Sequence, residues 1–231
     1  MTLPESETRD RLLDAALMHV AFDGWSDATL KAAAADIGLD AALVRSVVPR
    51  GAVELALAYH ARGDRAMLDR LRSEDLGYLK FREKIAAAVQ FRLDAVEDKE
   101  LVRRGATLFA LPQYATDGAK AIWTTCDLIW ESLGDTSEDV NWYSKRATLS
   151  GVYSATVLYW LGDTSADNAA TWAFLDRRID DVMQIEKLKA NVRNNPVLKP
   201  LLAGPNWLLG HIRAPKKTGG EDLPGTVGPQ R

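Results

Sequence analysis

From Asp139 to Leu161 the polar positions of the chain almost disappear. DVNWYSKRATLSGVYSATVLYWL carries Trp142, Leu149, Tyr153, Val157 and Trp160 on one side at helical spacing, with Val152 and Tyr159 widening that face. Ala147, Gly151 and Ser154 form a second, small stripe that lets another helix approach closely. A helix apolar nearly all round must be surrounded by protein or ligand. The stretch is therefore predicted as the central helix of an all-α domain. The preceding GDTSE supplies its start, with Thr136 placed for a capping box three residues before Asp139.

The rest of the pattern is also helical. Leu12, Leu13, Ala16, Leu17 and Val20 form one face of a first helix, ended by Asp23-Gly24-Trp25. Leu30, Ala33, Ala34 and Ile37 predict a second, closed by Gly38; Asp40 caps a short third through Val47, stopped by Pro49 and Gly51. Further helices are predicted over residues 52–72, 81–96, 99–111 (broken at Pro112), 119–133 and from 166 onward. The residues Gly-Asp-Thr-Ser occur at 134–137 and again at 162–165, each time ahead of a helix, which reads as reuse of turn-and-cap chemistry. No stretch alternates with the β period, so the class is all-α.

Composition adds limits. An apolar fraction of 47% supports a real core, and 26% charged residues fit a globular chain. A single cysteine, Cys126, excludes an intramolecular disulfide framework. No apolar run reaches the roughly 18 residues of a membrane span. The formal charge is −3, yet Lys187 to Lys217 holds seven basic residues and no acidic ones, leaving −10 for the remainder. In that segment Val197, Leu198, Leu201, Leu202, Leu208, Leu209 and Ile212 share a face, with Trp207 at its edge. Apolar area, an edge tryptophan and cations suit an interfacial membrane helix, with Leu198, Leu201, Leu202, Trp207, Leu208, Leu209 and Ile212 as membrane-binding residues. Gly204-Pro205 interrupts it, and a helix folded back onto the body is the alternative.

Five of seven tryptophans fall between Trp123 and Trp172. One reading is a well-packed core. The other is an apolar tunnel for a lipid-like ligand between helices, lined by Leu108, Leu111, Ile122, Val152, Tyr153, Val157, Trp160, Trp172 and Leu175. The expected division is a helix-turn-helix-like region over 1–73, a helical lipid-binding domain over 74–193, an amphipathic membrane-associating segment over 194–213 and a disordered tail over 214–231. His19, His60 and His211 lack metal-site spacing, and no phosphate loop, dinucleotide fingerprint or nucleophile elbow occurs. No enzyme activity, metal or cofactor is expected.

TRDRLLDAALMHVAFDGW followed by TLKAAAADIGLDAALVRSVV resembles the N-terminal helix-turn-helix domain of TetR-family repressors. Where those repressors carry a tyrosine, a phenylalanine and a phosphate-binding lysine, this chain has Arg45, Val48 and Gly51, with Asp40 at the helix start. Arg45 and Arg50 alone are a thin footprint for DNA, so no nucleic-acid partner is expected. A lipid-sensing TetR-type repressor is the competing reading.

Asn141-Trp142-Tyr143, then Arg146, then Thr171-Trp172, Phe174-Leu175 and Arg178 carry a longer resemblance. They are similar to the ubiquinone (coenzyme Q) biosynthesis accessory protein family, a lipid-binding family with a TetR-like fold. The resemblance implies a TetR-like bundle with a C-terminal amphipathic helix, binding isoprenoid quinone intermediates and presenting them to the demethoxyubiquinone hydroxylase. It also implies peripheral membrane association. A homodimer is expected. Asn141, Trp142, Tyr143 and Arg146 are candidate partner-binding residues, because Trp, Tyr and Arg dominate interface hot spots; closure of the core over 134–138 is the alternative role for the two aromatics. The acidic start MTLPESETRD is unlike a presequence, so the expected location is the bacterial cytoplasm, peripheral on the inner membrane.

Overall fold

The computed structural model describes residues 4–194 and residue 214. Among these, nine α-helices and one 3₁₀ turn account for the regular structure. The helices are α1 (Glu5–Asp23), α2 (Asp27–Asp36), α3 (Ala41–Val47), α4 (Ala52–Ser73) and α5 (Phe81–Asp94). They continue with α6 (Lys99–Phe109), α7 (Ala115–Ser132), α8 (Val140–Gly162) and α9 (Ala169–Asn194).

Local chemistry sets the short N-terminal helices. Ser26 accepts from the Thr29 amide at 3.2 Å and starts α2. Asp40 Oδ1 accepts from the amides of Ala42 and Leu43, both at 2.8 Å, and starts α3. Gly38 between them has φ +68°, a left-handed conformation that an L side chain resists. Asp40 is thus committed to its own helix start.

Two apolar cores result. Leu12, Leu13, Ala16, Val20, Trp25, Val44, Val47 and Leu55 fill the first, and Leu101 of α6 joins them. Trp25 Nε1 donates to the Leu101 carbonyl at 3.1 Å, locking α6 onto the N-terminal helices. Met67, Val89, Leu93, Ile129, Leu149, Tyr153, Trp160 and Leu175 fill the second. The boundary expected at residue 73 falls at the end of α4, a helix of about 33 Å at 1.5 Å per residue whose two halves serve different cores.

The central helix forms as its pattern predicts, with Leu149, Tyr153, Trp160 and Leu161 buried. Its cap differs from expectation: Asp139, not Thr136, accepts from the Asn141 amide, at 2.9 Å. The helix before it begins at Ala115, ahead of the predicted residue 119, because the turn after Pro112 is shorter than the polar residues suggest. The last helix begins at Ala169, after a 3₁₀ turn at Ala166–Asn168 in which Asp167 and Asn168 have positive φ. Both Gly-Asp-Thr-Ser turns work alike. Asp135 accepts from the Ser137 amide at 3.3 Å and Asp163 from the Ser165 amide at 2.8 Å. Segment 195–213, with the seven membrane-binding candidates, and the tail 215–231 lie outside the described residues.

Candidate functional site

Where the two cores meet, α4 to α8 leave a cavity of about 410 Å³, within the range of roughly 300–1,000 Å³ typical of small-molecule sites. Its wall is mostly apolar and includes Leu93, Val96, Val102, Phe109, Ile122 and Val157. Gly118 lets α7 lie against α6 beside it: a Cβ there would stand 2.7 Å from Phe109 Cβ.

Behind one part of the wall lies a polar group from three helices, of which His60 and Arg92 line the cavity. Arg92 on α5 donates from Nε to Asp64 Oδ1 on α4 at 2.7 Å, and from Nη2 to the His60 carbonyl at 3.0 Å. Both side chains of that ion pair are 5% exposed. Thr125 on α7 donates to Asp64 Oδ1 at 2.9 Å, and His60 Nε2 lies 2.8 Å from Thr125 Oγ1. A carboxylate only accepts, so the hydroxyl proton points to Asp64 and His60 Nε2–H donates to the hydroxyl. Burial pushes the His60 pKa down to about 4; nearby Asp64 opposes this and Arg92 adds to it. The imidazole is therefore neutral at pH 7. Tyr153, deeply buried beside this group, has its pKa pushed up to about 12 by burial and keeps its hydroxyl proton. Tyr59 also lines the cavity, and its buried Oη has no hydrogen-bond partner.

Of the nine lipid-binding candidates, Ile122, Tyr153 and Val157 line this cavity. Val152 lines a second cavity instead, of about 290 Å³, among Phe81, Ile85, Trp130, Val182 and Met183. Trp160 and Leu175 are in the packed core at 3% and 2% exposure. Leu108 packs on the N-terminal core, and Leu111 is exposed in the turn after α6. Trp172 donates from Nε1 to the Asp167 carbonyl at 2.8 Å and packs half-buried against the second core. A helix apolar on every side shows its residues to core and cavity alike, and periodicity does not separate the two. Trp25, Tyr59, His60 and Arg92 were missed. The visible signals were a lone arginine in the apolar run AAAVQFRL and the i,i+4 pair His60/Asp64.

The second candidate site lies at the start of α8. Trp123, Trp142 and Tyr143 form a three-ring cluster, with centroids 5.8 Å apart for Trp123–Trp142 and 4.7 Å for Trp142–Tyr143. Asn141 and Tyr143 are exposed, and Trp142 is half-buried. Arg146 departs from its expected place on the surface. Its side chain is 1% exposed, with Asp127 and Asp135 as ion-pair partners, so it supports the aromatic cluster from beneath. Burial raises the Asp135 carboxyl, but hydrogen bonds from Lys145, Ser137 and Arg146 outweigh this and hold its pKa at about 2. Trp123, named from sequence only among the five clustered tryptophans, completes the cluster.

Neither site carries metal or spanning chemistry. Among the described residues no group of three His, Cys, Asp or Glu is placed to hold a metal ion, and no helix is long and apolar enough to cross a membrane. Of the two arginines available for DNA, Arg50 forms a paired contact to Asp117, at 3.2 Å for Nη1.

Comparisons agree with this architecture. A Nitrosomonas europaea TetR transcriptional regulator shares the fold at a TM-score of 0.62 and 22% identity, over 75% of this chain and 97% of that one. The rat mitochondrial ubiquinone biosynthesis protein COQ9 is 31% identical over 82% of this chain and 63% of its own length. The human protein of that name is 29% identical over 82% and 62%, and a probable mitochondrial coq9 of Dictyostelium discoideum 28% over 80% and 63%. The chain thus spans just under two thirds of these relatives. Their names place them in mitochondria, which overturns the expected bacterial cytoplasmic location. Residues 115–186, from the start of α7 into α9, match the COQ9 family model. That match covers both the rear wall of the cavity and the aromatic cluster, and the chain is similar to the COQ9 proteins over about four fifths of its own length.

Proposed function

We propose that this chain is a non-catalytic lipid-binding accessory protein of ubiquinone biosynthesis. It holds an isoprenoid quinone intermediate in the cavity between α4 and α8 and presents it to the demethoxyubiquinone hydroxylase. The observation that carries the reading is the cavity itself: about 410 Å³ of space with an apolar wall between the helices, open on one side beside Leu158. The names of the relatives supply the biosynthetic setting.

The test combines lipid recovery with a cavity-filling variant. Organic extraction of the purified protein, followed by mass spectrometry, is expected to yield an isoprenoid quinone or a precursor. Val157→Trp places an indole in the cavity and should abolish recovery while the melting temperature holds or rises. Equal recovery from both proteins would place the lipid elsewhere.

The hydroxylase is assigned to the Trp123–Trp142–Tyr143 cluster, and a homodimer remains the expected assembly, to be read by light scattering. The α2–α3 pair is a helix-turn-helix scaffold that does not read DNA. Asp40 is used as a cap and Arg50 is held by Asp117, which leaves Arg45 as the cation of α3. Salt-sensitive, sequence-selective duplex binding below micromolar affinity would restore the repressor reading. The amphipathic segment 197–212 is assigned to a membrane surface on its sequence pattern.

A further inference from the structure

The second cavity, of about 290 Å³, lies between α5, α8 and α9, apart from the one assigned to lipid. Ile85, Leu149, Val152, Ile179 and Val182 make its wall, and Phe81 and Met183 stand exposed at its rim. Large apolar side chains beside an apolar hollow favour contact with protein or lipid over water. The described chain stops and resumes on either side of this hollow. α9 passes it at Met183 and runs on to Asn194, about 16 Å farther at 1.5 Å per residue. The chain resumes at Ala214, which is half-buried and whose amide donates to the Glu138 carbonyl at 2.9 Å. Glu138 stands just ahead of α8, whose Asn141 and Ser144 form the polar edge of the same cavity. Residues 195–213 therefore leave from beyond one side of the cavity and return to the other. At helical rise residues 197–212 span about 24 Å, the scale of that return.

We propose that the α5–α8–α9 cavity is the docking site of this chain's own leucine-rich segment, residues 197–212, in the absence of a membrane. The leucines assigned above to a membrane surface, Leu198, Leu201, Leu202, Leu208 and Leu209, are the ones that enter the cavity and pack on Phe81 and Met183. One face serves one surface at a time. Docking therefore competes with the membrane, and the apparent membrane affinity falls in proportion to the undocked fraction. The competition rests on the membrane role proposed for this segment; the docking itself does not. The tether favours this occupant over a separate protein, because a short flexible link gives an effective concentration of about a millimolar. The charges agree as well. Residues 195–213 carry Lys199 and Arg213 and no carboxylate, and exposed Glu138 and Asp139 stand where the chain returns.

Variants of the full chain test this. Met183→Asp puts a carboxylate on the cavity rim that the leucine face would have to bury unpaired. Met183 is exposed, so the fold should hold, which melting checks. Leu202→Asp places the same charge on the segment. Chymotryptic cleavage after Trp207, read by mass spectrometry without lipid, reports docking. Co-sedimentation with phosphatidylcholine vesicles containing phosphatidylglycerol reports the membrane. Both variants should be cut about tenfold faster than the wild type, since cleavage follows the open population. On vesicles they should separate. Met183→Asp should bind about three- to tenfold tighter, because its segment is no longer held back, and Leu202→Asp should bind more weakly. Met183→Leu keeps an apolar rim and should match the wild type in both measurements. Equal cleavage of wild type and Met183→Asp would overturn the docking. Protection that disappears on dilution would overturn it too, by assigning the cavity to the segment of a second copy. Faster cleavage of Met183→Asp with unchanged vesicle affinity would overturn the competition. Cleavage as expected with no vesicle binding by any chain would uphold the docking and overturn the membrane role of the segment.

Discussion

The guanidinium carbon of Arg146 sits 4.1 Å from the centre of the Trp142 indole, and Nη1 donates to the Trp142 carbonyl at 3.1 Å. One buried cation thus holds the first turn of α8, the Asp135 turn before it and the inner face of an exposed aromatic cluster. The division of labour follows from exposure. Arg146 is hidden from any partner, whereas Tyr143 is 36% exposed. Arg146→Ala removes one of the two cations on buried Asp135, leaving Lys145, and is expected to cost about 1.5–3 kcal/mol of stability, the scale of a hydrogen bond to a charged group. Tyr143→Ala should cost about 1 kcal/mol, the scale of an aromatic pair, while hydroxylase capture falls sharply. Thermal melting and pull-down of the two variants check this. Intact capture by Tyr143→Ala would move the partner surface elsewhere.

The neutral His60 gives the fold a pH dependence. Its pKa drops from about 6.5 in the unfolded chain to about 4 in the fold. Between those values the unfolded state binds more protons, so stability rises with pH across that window. The contribution is complete above about pH 6.5 and is lost progressively as pH falls through 4. A shift of this size amounts to roughly 3 kcal/mol. His60→Gln keeps a donor near Nε2 without a titrating ring, and its urea-unfolding free energy should vary less between pH 6.5 and 4 than the wild type's. Equal slopes would mean that His60 is solvated or already unpaired.

Much of this architecture was legible because it is local. The apolar run of α8 announces a surrounded helix, and the two Gly-Asp-Thr-Ser turns share one hydrogen bond, from the serine amide to the aspartate two residues before it. The polar end of the cavity was not legible, because Asp64, Arg92 and Thr125 lie on three helices and meet only in the fold. Arg146 misleads for the same reason. An arginine beside Lys145 reads as surface, and only Asp127 and Asp135, from α7 and the turn after it, bury it. Trp160 and Leu175 carry the right periodicity for a tunnel but face the packed core.

The basic, leucine-rich stretch beyond α9 leads to an expectation from sequence alone. Removing residues 197–231 should leave a folded bundle and should sharply weaken binding to anionic liposomes. Each basic residue near an anionic surface contributes about 1 kcal/mol, and the apolar face adds a part that salt does not screen. Co-sedimentation at low and high salt reads both parts. Unchanged binding after the deletion would assign the membrane contact to another surface.

Gly63 gives the sharpest test of the buried Arg92–Asp64 pair. It sits on α4 one residue before Asp64, with the Arg92 guanidinium lying across its backbone. A Cβ added there would meet Arg92 Nη1 at 2.4 Å and Cζ at 2.5 Å. On an exposed arginine such a clash would be relieved by rotating the side chain. Arg92 has no such freedom: it is 5% exposed and bonded through Nε and Nη2. Alanine normally favours a helix by about 1 kcal/mol over glycine. Here overpacking, at about 1–3 kcal/mol, and a weakened buried ion pair oppose that gain. Gly63→Ala is therefore expected to lower stability. Gly151, with nothing within 4 Å of its would-be Cβ, is the control: Gly151→Ala should stabilise. If Gly63→Ala melts higher, the guanidinium is free to move, and packing does not hold it against Asp64.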